Sequence, residues 1–393
     1  MNILIFNNRE MIPTIGGIER ISCSLAVEFI QRGHNVWFAS TLKADFDFNG
    51  QLPSKQYILP SENVLVTENI KLLTNIITDN KIDIVINQSA HVIECVNLCA
   101  KACDKNAKLV SVLHFNPTFV LMLSKNLPFS KVVNSKNFHD YICWILKPIF
   151  HVKRKRYLKK IYSAAAKNSS KLILLSDNYK SEILNYIDIK DEYKVVGINN
   201  FTETQTQIIN DEKKNTLLYV GRLDFGQKRP DRIIEIWENI YKKYPDWKLK
   251  IAGDGPLKDD LMKYVARKNI QNIEFLGFVN LEKEYEKAKI LCMTSTYEGL
   301  PMVLIEGANY GCVPIAFDSF ASLHDIIDNE ENGIIVEKFN LKEYQRKLEK
   351  LMFDEKYRAM IQKQSFKINE KFNKEKIITQ WLELFENLVS EYV

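Results

Sequence analysis

Short apolar runs of strand length alternate with longer amphipathic segments along this chain, and this alternation constrains its fold more than any other feature. Such runs, each followed by an apolar pattern of helical period, are typical of a parallel sheet whose faces are covered by helices. The runs that we predict as strands are Asn2–Phe6, Asn35–Ser40, Ile82–Asn87, Lys108–His114, Leu172–Ser176, Tyr193–Ile198, Thr216–Val220, Lys248–Ile251, Ile273–Val279, Ile290–Thr294, Val313–Phe317 and Gly333–Val336. The pattern predicts an α/β protein.

A polar stretch without periodicity, Thr202–Asn215, divides this series in two and is predicted to be a linker. A length of 393 residues also exceeds one ordinary domain and favours two. We therefore predict an N-terminal Rossmann-like domain over residues 1–205 and a second one over residues 206–373.

The chain shows no pattern of membrane insertion or export. No apolar run approaches the roughly 20 residues that span a bilayer, and the first residues enter a strand without the order of a signal peptide. The seven cysteines include no C-x2-C pair and are expected to be free thiols. We expect a cytoplasmic protein.

Positive charge is concentrated in one block. The segment Tyr141–Ser176 holds nine Lys or Arg residues and no acid, although the whole chain has a net charge of only +5. Aromatic residues precede the run Lys153, Arg154, Lys155 and Arg156, a combination that suits the surface of an anionic membrane. The alternative is a solvated helix face beside core aromatics. Nucleic-acid binding is disfavoured because no recognised binding module surrounds the block.

The stretch Ser295–Gly311 has the strongest features of a ligand site. It follows the apolar run Ile290–Thr294, and Pro301 fits the first turn of a helix. A turn between a strand and a helix N-terminus presents free amides and the positive end of the helix dipole. Glu298 in the turn and Glu306 in the helix suit a long polar ligand with hydroxyls at both ends and a phosphate between them. The alternative is an unrelated pair of solvated acids.

Other strand ends carry polar groups. Arg222 and Lys228 follow the strand Thr216–Val220, where an Arg fork and a Lys point charge can neutralise a diphosphate, or can be ordinary surface cations. Gly16 and Gly17 lie between a strand and a helix without the complete G-x-G-x-x-G pattern, so dinucleotide binding is disfavoured. His114 ends its predicted strand.

A metal site is not expected. Asp45-Phe46-Asp47 spells D-x-D, but it lies in a polar, turn-rich segment that does not follow a buried strand. His91, Cys95, Cys99 and Cys103 repeat at a spacing of four on one helix face, yet the first and last lie about 18 Å apart along a helix and cannot share one ion. We interpret them as a packing stripe.

The segment Glu298–Glu306 (EGLPMVLIE), together with the upstream V-G-R-L and Lys228, resembles the E-x7-E region of the retaining GT-B glycosyltransferases of family 4. The resemblance implies two Rossmann-like domains facing a cleft. It also implies that the final helices, residues 374–393, return to the first domain. The match is firm from Val220 to Gly311 and looser before it.

The resemblance implies a role for each matching residue. Glu298 would bind the donor sugar, Glu306 the ribose, and Arg222 and Lys228 the diphosphate. His114 would face the transferred sugar, so the implied catalytic groups are His114, Arg222, Lys228 and Glu298. The remaining contacts implied for the nucleotide-sugar are Gly16, Gly17, Phe278, Val279, Gly299, Leu300, Pro301, Met302 and Val303.

The expected function is retaining transfer of a sugar from a nucleotide-sugar, with UDP-sugar as the favoured donor, and without a metal or other cofactor. The expected acceptor is a saccharide, lipid-linked, in surface polysaccharide or lipopolysaccharide synthesis on the inner face of the membrane. Two alternatives are a GT-B epimerase or hydrolase that converts the donor alone, and a non-catalytic subunit that binds a sugar nucleotide. The second is disfavoured because both acids and both cations are present.

Overall fold

A computed structural model describes residues 1–46, 48, 50–104, 106–122, 147–202 and 213–390. Within it the chain forms two compact units, Met1–Asn200 with Glu375–Val393, and Phe201–Lys374. The predicted boundary at residue 205, most of the predicted linker, Asp47 and the aromatic residues at 141–146 lie outside the described residues.

The first unit is built on a parallel sheet of seven strands with the order β3-β2-β1-β4-β5-β6-β7. Its central strands are buried along most of their length, as expected when helices cover both faces of a parallel sheet. The strands are β1 (Asn2–Arg9), β2 (Asn35–Leu42), β3 (Gln56–Ile58), β4 (Ile84–Asn87), β5 (Lys108–Leu113), β6 (Lys171–Leu174) and β7 (Val195–Gly197).

Helices connect these strands. They are α1 (Gly17–Gln31), α2 (Thr67–Asp79), α3 (Ile93–Cys103), α4 (Phe119–Met122), α5 (Lys147–Asn168) and α6 (Lys180–Ile183), with short 3-10 turns at Asp177–Tyr179, Leu184–Tyr186 and Ile189–Lys194. The apolar face of α3 buries Cys95, Cys99 and Cys103 against α2 and the sheet, which confirms the interpretation of these cysteines as packing residues. The placement of His91 on the same helix face is wrong, because α3 begins at Ile93.

The second unit contains a parallel sheet of six strands with the order β10-β9-β8-β11-β12-β13. Its strands are β8 (Lys214–Val220), β9 (Lys248–Ala252), β10 (Ile273–Gly277), β11 (Ala288–Met293), β12 (Val313–Phe317) and β13 (Ile334–Val336). Its helices are α7 (Pro230–Ile240), α8 (Lys258–Arg267), α9 (Leu281–Lys287), α10 (Met302–Asn309), α11 (Leu323–Ile326), α12 (Leu341–Phe353), α13 (Glu355–Ser365) and α14 (Ile368–Lys371).

Both sheets reverse their strand order beside the first strand of the unit. In the second unit β8 lies between β9 and β11, so the connections after β8 and β11 leave in opposite directions. The gap between such connections, at the carboxyl ends of the strands, is where open α/β sheets bind ligands. The fold therefore places the segments after Val220 and after Met293 next to each other.

The predicted strands are all present, and the differences lie at their edges. The short strand β3 was not predicted, because its three residues are too few to show an alternating pattern. The strand predicted to reach Val279 ends at Gly277, which adopts φ +65° and turns the chain away from the sheet. His114 lies one residue beyond its strand, since the ladder with β6 ends at the pair Leu113 and Leu174.

The last helix of the described chain, α15 (Lys374–Ser390), packs against α1 in the first unit. Phe385 is fully buried, and its ring lies 5.6 Å from that of Phe29 in an edge-to-face arrangement. Trp381 also contacts the ring of Phe385, and Glu375 forms an ion pair of 2.5 Å with Arg32. An apolar contact with a salt bridge at its edge thus fixes this helix on α1.

Replacing Phe385 with Ala should lower the free energy of unfolding by about 3–5 kcal/mol, because it leaves a cavity beside Phe29 and Trp381. Thermal unfolding followed by calorimetry measures this loss as a lower melting temperature. The control is Glu383→Ala at an exposed position of the same helix, which should change little. Equal melting temperatures for the two variants would contradict the packing role of Phe385.

Candidate active site

The loop after β8 and the turn after β11 are joined by hydrogen bonds at the carboxyl edge of the second sheet. Thr294 donates from Oγ1 to the carbonyl of Arg229 at 2.8 Å, and Thr296 donates from its backbone N–H to the carbonyl of Gln227 at 2.7 Å. Buried Arg232 donates from its guanidinium to the carbonyl of Thr294 at 2.9 Å. These bonds fix the two segments relative to each other before any ligand arrives.

Two local features shape the loop after β8. Gly253, at the end of β9, adopts φ +133°, and a Cβ there would lie 2.0 Å from the carbonyl oxygen of Gly221. This close approach holds the first residues after β8 against the end of β9, with Leu223 donating to the carbonyl of Asp254 at 2.9 Å. Pro230 then begins α7 as its first residue, because its fixed φ suits that position.

Glu298 is the centre of the candidate site. Only 4% of the residue is exposed, and its two carboxylate oxygens have different partners. Lys228 donates from Nζ to Oε1 at 2.7 Å, and Gln227 donates from Nε2 to Oε2 at 2.9 Å. Because a buried carboxylate is costly without donors, the two contacts explain how this acid is accommodated at the sheet edge.

Arg222 differs from Lys228 in its surroundings. It directly follows Gly221 at the end of β8 and is exposed. Its guanidinium forms no ion pair or hydrogen bond within the described part of the chain. The structure thus brings Arg222 and Lys228 into one loop, with one cation open to an incoming anion and the other paired with Glu298.

Helix α10 begins directly after Pro301, which was predicted in its first turn. Pro301 has ψ 85° and is the N-cap, so Met302 is the first helical residue. The carbonyl of Pro301 accepts the first helical bond, from Leu304 at 3.0 Å. The N–H groups of Gly299, Leu300 and Val303 have no acceptor among the described residues, and they are available to an anion at this end of the helix.

Glu306 lies on α10, half-buried, and accepts a hydrogen bond of 3.3 Å from the hydroxyl of Tyr285. The helix approaches β11 closely at Gly307, where a Cβ would lie 2.6 Å from Cδ2 of Leu291. Glu298 and Glu306 are thus carried by one turn and the helix that follows it.

Phe278 and Val279 lie apart from this group. They follow the edge strand β10, which is separated from β8 by β9, and Phe278 is 87% exposed. No described contact joins them to Arg222, Lys228 or Glu298. Their predicted position beside a nucleobase stays a prediction.

In the first unit, Gly16 is the N-cap of α1 and Gly17 its first residue. A Cβ on Gly16 would lie 2.6 Å from Oε2 of Glu19, so the absence of a side chain lets this acid fold back over the turn. Glu19 is buried and accepts a bond of 3.1 Å from Asn7 on β1. A Cβ on Gly17 would meet nothing within 4 Å, so this glycine has open space in front of it.

His114 is buried immediately after β5. Its Nε2 lies 2.6 Å from Oε1 of Gln88, which follows the neighbouring strand β4. Burial, with a smaller effect of His91, lowers the pKa of His114 to about 3, and burial lowers the pKa of His91 to about 4. His114 is therefore neutral at physiological pH and can form hydrogen bonds there without carrying charge.

The basic run lies on α5. Lys153, Lys155 and Arg156 are exposed and Arg154 is half-buried. Exposed apolar side chains lie on the same part of the helix, namely Ile149, Phe150, Val152 and Tyr157. The opposite face carries the buried residues Leu158, Ile161, Tyr162 and Ala165. In the portion of the chain that the structure describes, no helix is both long enough and apolar enough to cross a bilayer.

Within the described ranges, no three side chains of His, Cys, Asp or Glu converge in a way that could hold a metal ion. The cysteines of α3 are enclosed by apolar neighbours, and burial raises the pKa of Cys95 to about 12.

The sequence did not predict the residues that form hydrogen bonds to the predicted site residues and to the turn that carries Glu298. Gln227 and Arg232 hold the acidic turn, and Gln88 contacts His114. The position of Gln227 directly before Lys228 was a usable signal for Gln227. The other two contacts join residues 62 and 26 positions apart, and a single sequence gives no indication of such pairs.

Comparison with known proteins gives two family matches. The family described as "Glycosyltransferase Family 4" matches residues 15–205, and "Glycosyl transferases group 1" matches residues 200–368.

Curated relatives carry names of bacterial polysaccharide enzymes. The amylovoran biosynthesis glycosyltransferase AmsD of Erwinia amylovora is 30% identical over 221 residues, covering 54% of this chain and 61% of the relative. The Campylobacter jejuni GalNAc-alpha-(1->4)-GalNAc-alpha-(1->3)-diNAcBac-PP-undecaprenol alpha-1,4-N-acetyl-D-galactosaminyltransferase is 33% identical over 175 residues, covering 44% of this chain and 48% of the relative. The chain thus spans about half to three fifths of the length of these relatives.

Solved structures share the fold. A variant of Staphylococcus aureus TarM in complex with fondaparinux, alpha-GlcNAc-glycerol and UDP superposes with a TM-score of 0.73 at 16% identity, covering 98% of this chain and all of that one. The lipopolysaccharide outer core galactosyltransferase WaaB gives a TM-score of 0.70 at 18% identity, with both chains fully covered. The two family matches together run from residue 15 to residue 368, and with this shared fold they show that the chain belongs to the family 4 glycosyltransferases of the GT-B fold.

Proposed function

We propose that this protein is a retaining glycosyltransferase that moves a sugar from a UDP-sugar to a saccharide acceptor. The observation that carries the proposal is the group formed by Glu298, Lys228 and Arg222 at the switch point of the second sheet. It combines a carboxylate for sugar hydroxyls, two cations for a diphosphate and a helix N-terminus with free amides. Membership of the family and its UDP-bound structural neighbours support the same reading.

The chemistry requires stabilisation of the departing diphosphate. As the bond at the anomeric carbon breaks, negative charge grows on the leaving group, so donors aimed at it lower the barrier. Arg222 would bind the diphosphate as a planar fork, and Lys228 would turn from Glu298 towards it as a point charge. The amides of Gly299, Leu300 and Val303 would add uncharged donors without a metal ion.

Glu298 would then accept hydrogen bonds from hydroxyls of the donor sugar, and Glu306 from the ribose. Neutral His114 would contact the transferred sugar. In retention of configuration, the acceptor hydroxyl would enter on the face of the leaving group and pass its proton to the diphosphate.

The acceptor is proposed to be a lipid-linked saccharide in surface polysaccharide synthesis. The Campylobacter jejuni relative is named for an undecaprenol-linked substrate, and the Erwinia amylovora relative for amylovoran synthesis. The cations and exposed apolar side chains on α5 suit a peripheral contact with an anionic membrane, where such an acceptor would reside.

The first test measures nucleotide release from a panel of UDP-, GDP- and ADP-sugars, with and without a membrane-lipid extract. We expect release from one UDP-sugar that rises sharply when the extract is added. Release that ignores the extract would favour a hydrolase or an epimerase-type conversion of the donor. Binding of a nucleotide without release under either condition would favour the non-catalytic subunit.

Replacing either Arg222 or Lys228 with Ala should lower turnover by about 10²-fold, as expected for the loss of one transition-state donor. The matched control is Lys283→Ala, an exposed cation of the same unit, which should keep its rate. Because Lys228 is also the partner of Glu298, the melting temperature of each variant is measured alongside. Wild-type turnover in both the Arg222→Ala and the Lys228→Ala variant, each folded, would overturn the assignment of these cations to the diphosphate.

Neutralising Lys153, Arg154, Lys155 and Arg156 with Gln should release the protein from anionic vesicles. Each charge contributes about 1 kcal/mol near such a surface, so binding in a sedimentation assay should fall at least about 100-fold. The matched control neutralises four exposed lysines of the second unit, Lys242, Lys263, Lys283 and Lys338. If the two sets of substitutions weaken vesicle binding equally, the net charge explains the effect, and the proposed membrane contact of α5 is wrong.

A further inference from the structure

Gln88 and His114 lie at the carboxyl ends of two neighbouring strands of the first unit. Gln88 directly follows β4 and His114 directly follows β5, and these strands pair in parallel as far as Asn87 and Ser111. The N–H of Gln88 also donates to the carbonyl of Phe6 on β1 at 2.8 Å. Both side chains therefore start from backbone that the sheet holds in place, which gives a site more precision than a loop does.

The contact between the two side chains determines which nitrogen of the imidazole carries the proton. Nε2 of His114 lies 2.6 Å from Oε1 of Gln88. An amide oxygen only accepts hydrogen bonds, so Nε2 is the donor. Burial, with a smaller effect of His91, lowers the pKa of His114 to about 3, so the ring is neutral near physiological pH and carries one proton. Nδ1 is therefore left with a lone pair and no proton.

Nδ1 of His114 is open to a ligand. The residue is 8% exposed, and in the ranges that the structure describes no donor bonds to this nitrogen. A nitrogen of this kind accepts a hydrogen bond and has none to give. It can therefore bind a hydroxyl, which donates, but it cannot bind an ether oxygen or a fluorine, which do not donate.

Packing alone does not account for a glutamine at position 88. The residue is fully buried, and its Nε2 has no acceptor within the described chain. An unpaired buried donor costs about 1–3 kcal/mol, whereas a methionine of similar length would fill the space without that cost. The side-chain hydrogen bond that the structure describes for Gln88 is the one that Oε1 accepts from His114. The amide is thus explained by its effect on the imidazole.

We infer that Gln88 is a positioning residue that keeps the proton of His114 on Nε2, so that Nδ1 accepts a hydrogen bond from one hydroxyl of the transferred sugar. The first half of the inference concerns the protein alone. The second half rests on the proposed function, because it assumes that His114 contacts the donor sugar. It follows that the enzyme selects a donor sugar with a free hydroxyl at the position that faces His114.

The position of the proton is measurable in the wild-type protein without a substrate. The chain has six histidines, and labelling them with ¹⁵N gives nitrogen chemical shifts and ring-proton couplings that distinguish the two neutral tautomers. The signals of His114 are those absent from the spectrum of His114→Ala. We expect the proton on Nε2, and a proton on Nδ1 would overturn the inference.

Gln88→Met tests whether the glutamine holds that proton. Methionine is similar in length, but its thioether is a weak acceptor, so the Nε2–H signal of His114 should shift. Gln51→Met is the matched control, since Gln51 is an exposed glutamine of the same unit, and it should leave the signal in place. An unmoved signal in Gln88→Met would overturn the role of Gln88.

Fluorinated donors test the contact with the sugar. In the UDP-sugar identified by the release panel, each hydroxyl of the transferred sugar is replaced in turn by fluorine, and kcat/KM is compared with that of the parent donor. At one position the wild type and Gln51→Met should lose about 10-fold more than His114→Ala and Gln88→Met do, because only they have an oriented acceptor that the fluorine leaves unpaired. The comparison between enzymes cancels the inductive effect of fluorine, which is common to all of them.

The remaining outcomes separate the parts of the inference. Equal fluorine penalties at every position in all four proteins would overturn the contact between His114 and the sugar. A penalty that disappears in His114→Ala but persists in Gln88→Met would overturn the positioning role of Gln88. Failure of the wild type to release nucleotide from any donor would overturn the proposed function, whereas the nitrogen shifts would still decide the tautomer of His114.

Discussion

The ion pair between Lys228 and Glu298 joins the two chain segments on which the candidate site is built. The residues lie 70 positions apart in sequence, and their side chains meet because β8 and β11 are neighbours in the sheet. A buried carboxylate that loses its partner destabilises a protein by several kcal/mol, on the order of 3–5. The pair therefore stabilises the arrangement of the loop and the turn as long as no ligand competes for the ammonium.

The same ion pair means that an anionic ligand must compete with Glu298 for Lys228. A diphosphate gains the attraction of Lys228 only by drawing it from Glu298, whereas the guanidinium of Arg222 is exposed and already open to it. In the proposed reaction Arg222 would therefore make the first electrostatic contact. The hydroxyls of the sugar would replace the ammonium at Glu298, so a complete donor compensates this acid better than a bare nucleotide does.

The sequence alone was sufficient for every described strand but β3 and for the turns that follow them, because each of these has a local signal of period or residue type. The contacts among those residues had no such signal. Arg232 shows why: a charged residue in a helix is expected at the surface, yet it is buried over the ring of Phe339 at 4.2 Å and bonds the carbonyl of Thr294. Its position depends on the packing of α7 against the end of β11, which is distant in sequence. The hydrophobic pattern of α7 does not indicate that contact.

The two units differ in the kind of chemistry that their candidate residues can perform. In the second unit Arg222 and Lys228 supply positive charge, whereas His114 in the first unit has a pKa lowered to about 3, chiefly by burial. A histidine that stays neutral can orient a hydroxyl, but it cannot offset the charge that grows on a departing diphosphate. In the proposed mechanism the electrostatic part of catalysis thus falls to the cations and helix amides of the second unit, and His114 would contribute only an uncharged hydrogen bond.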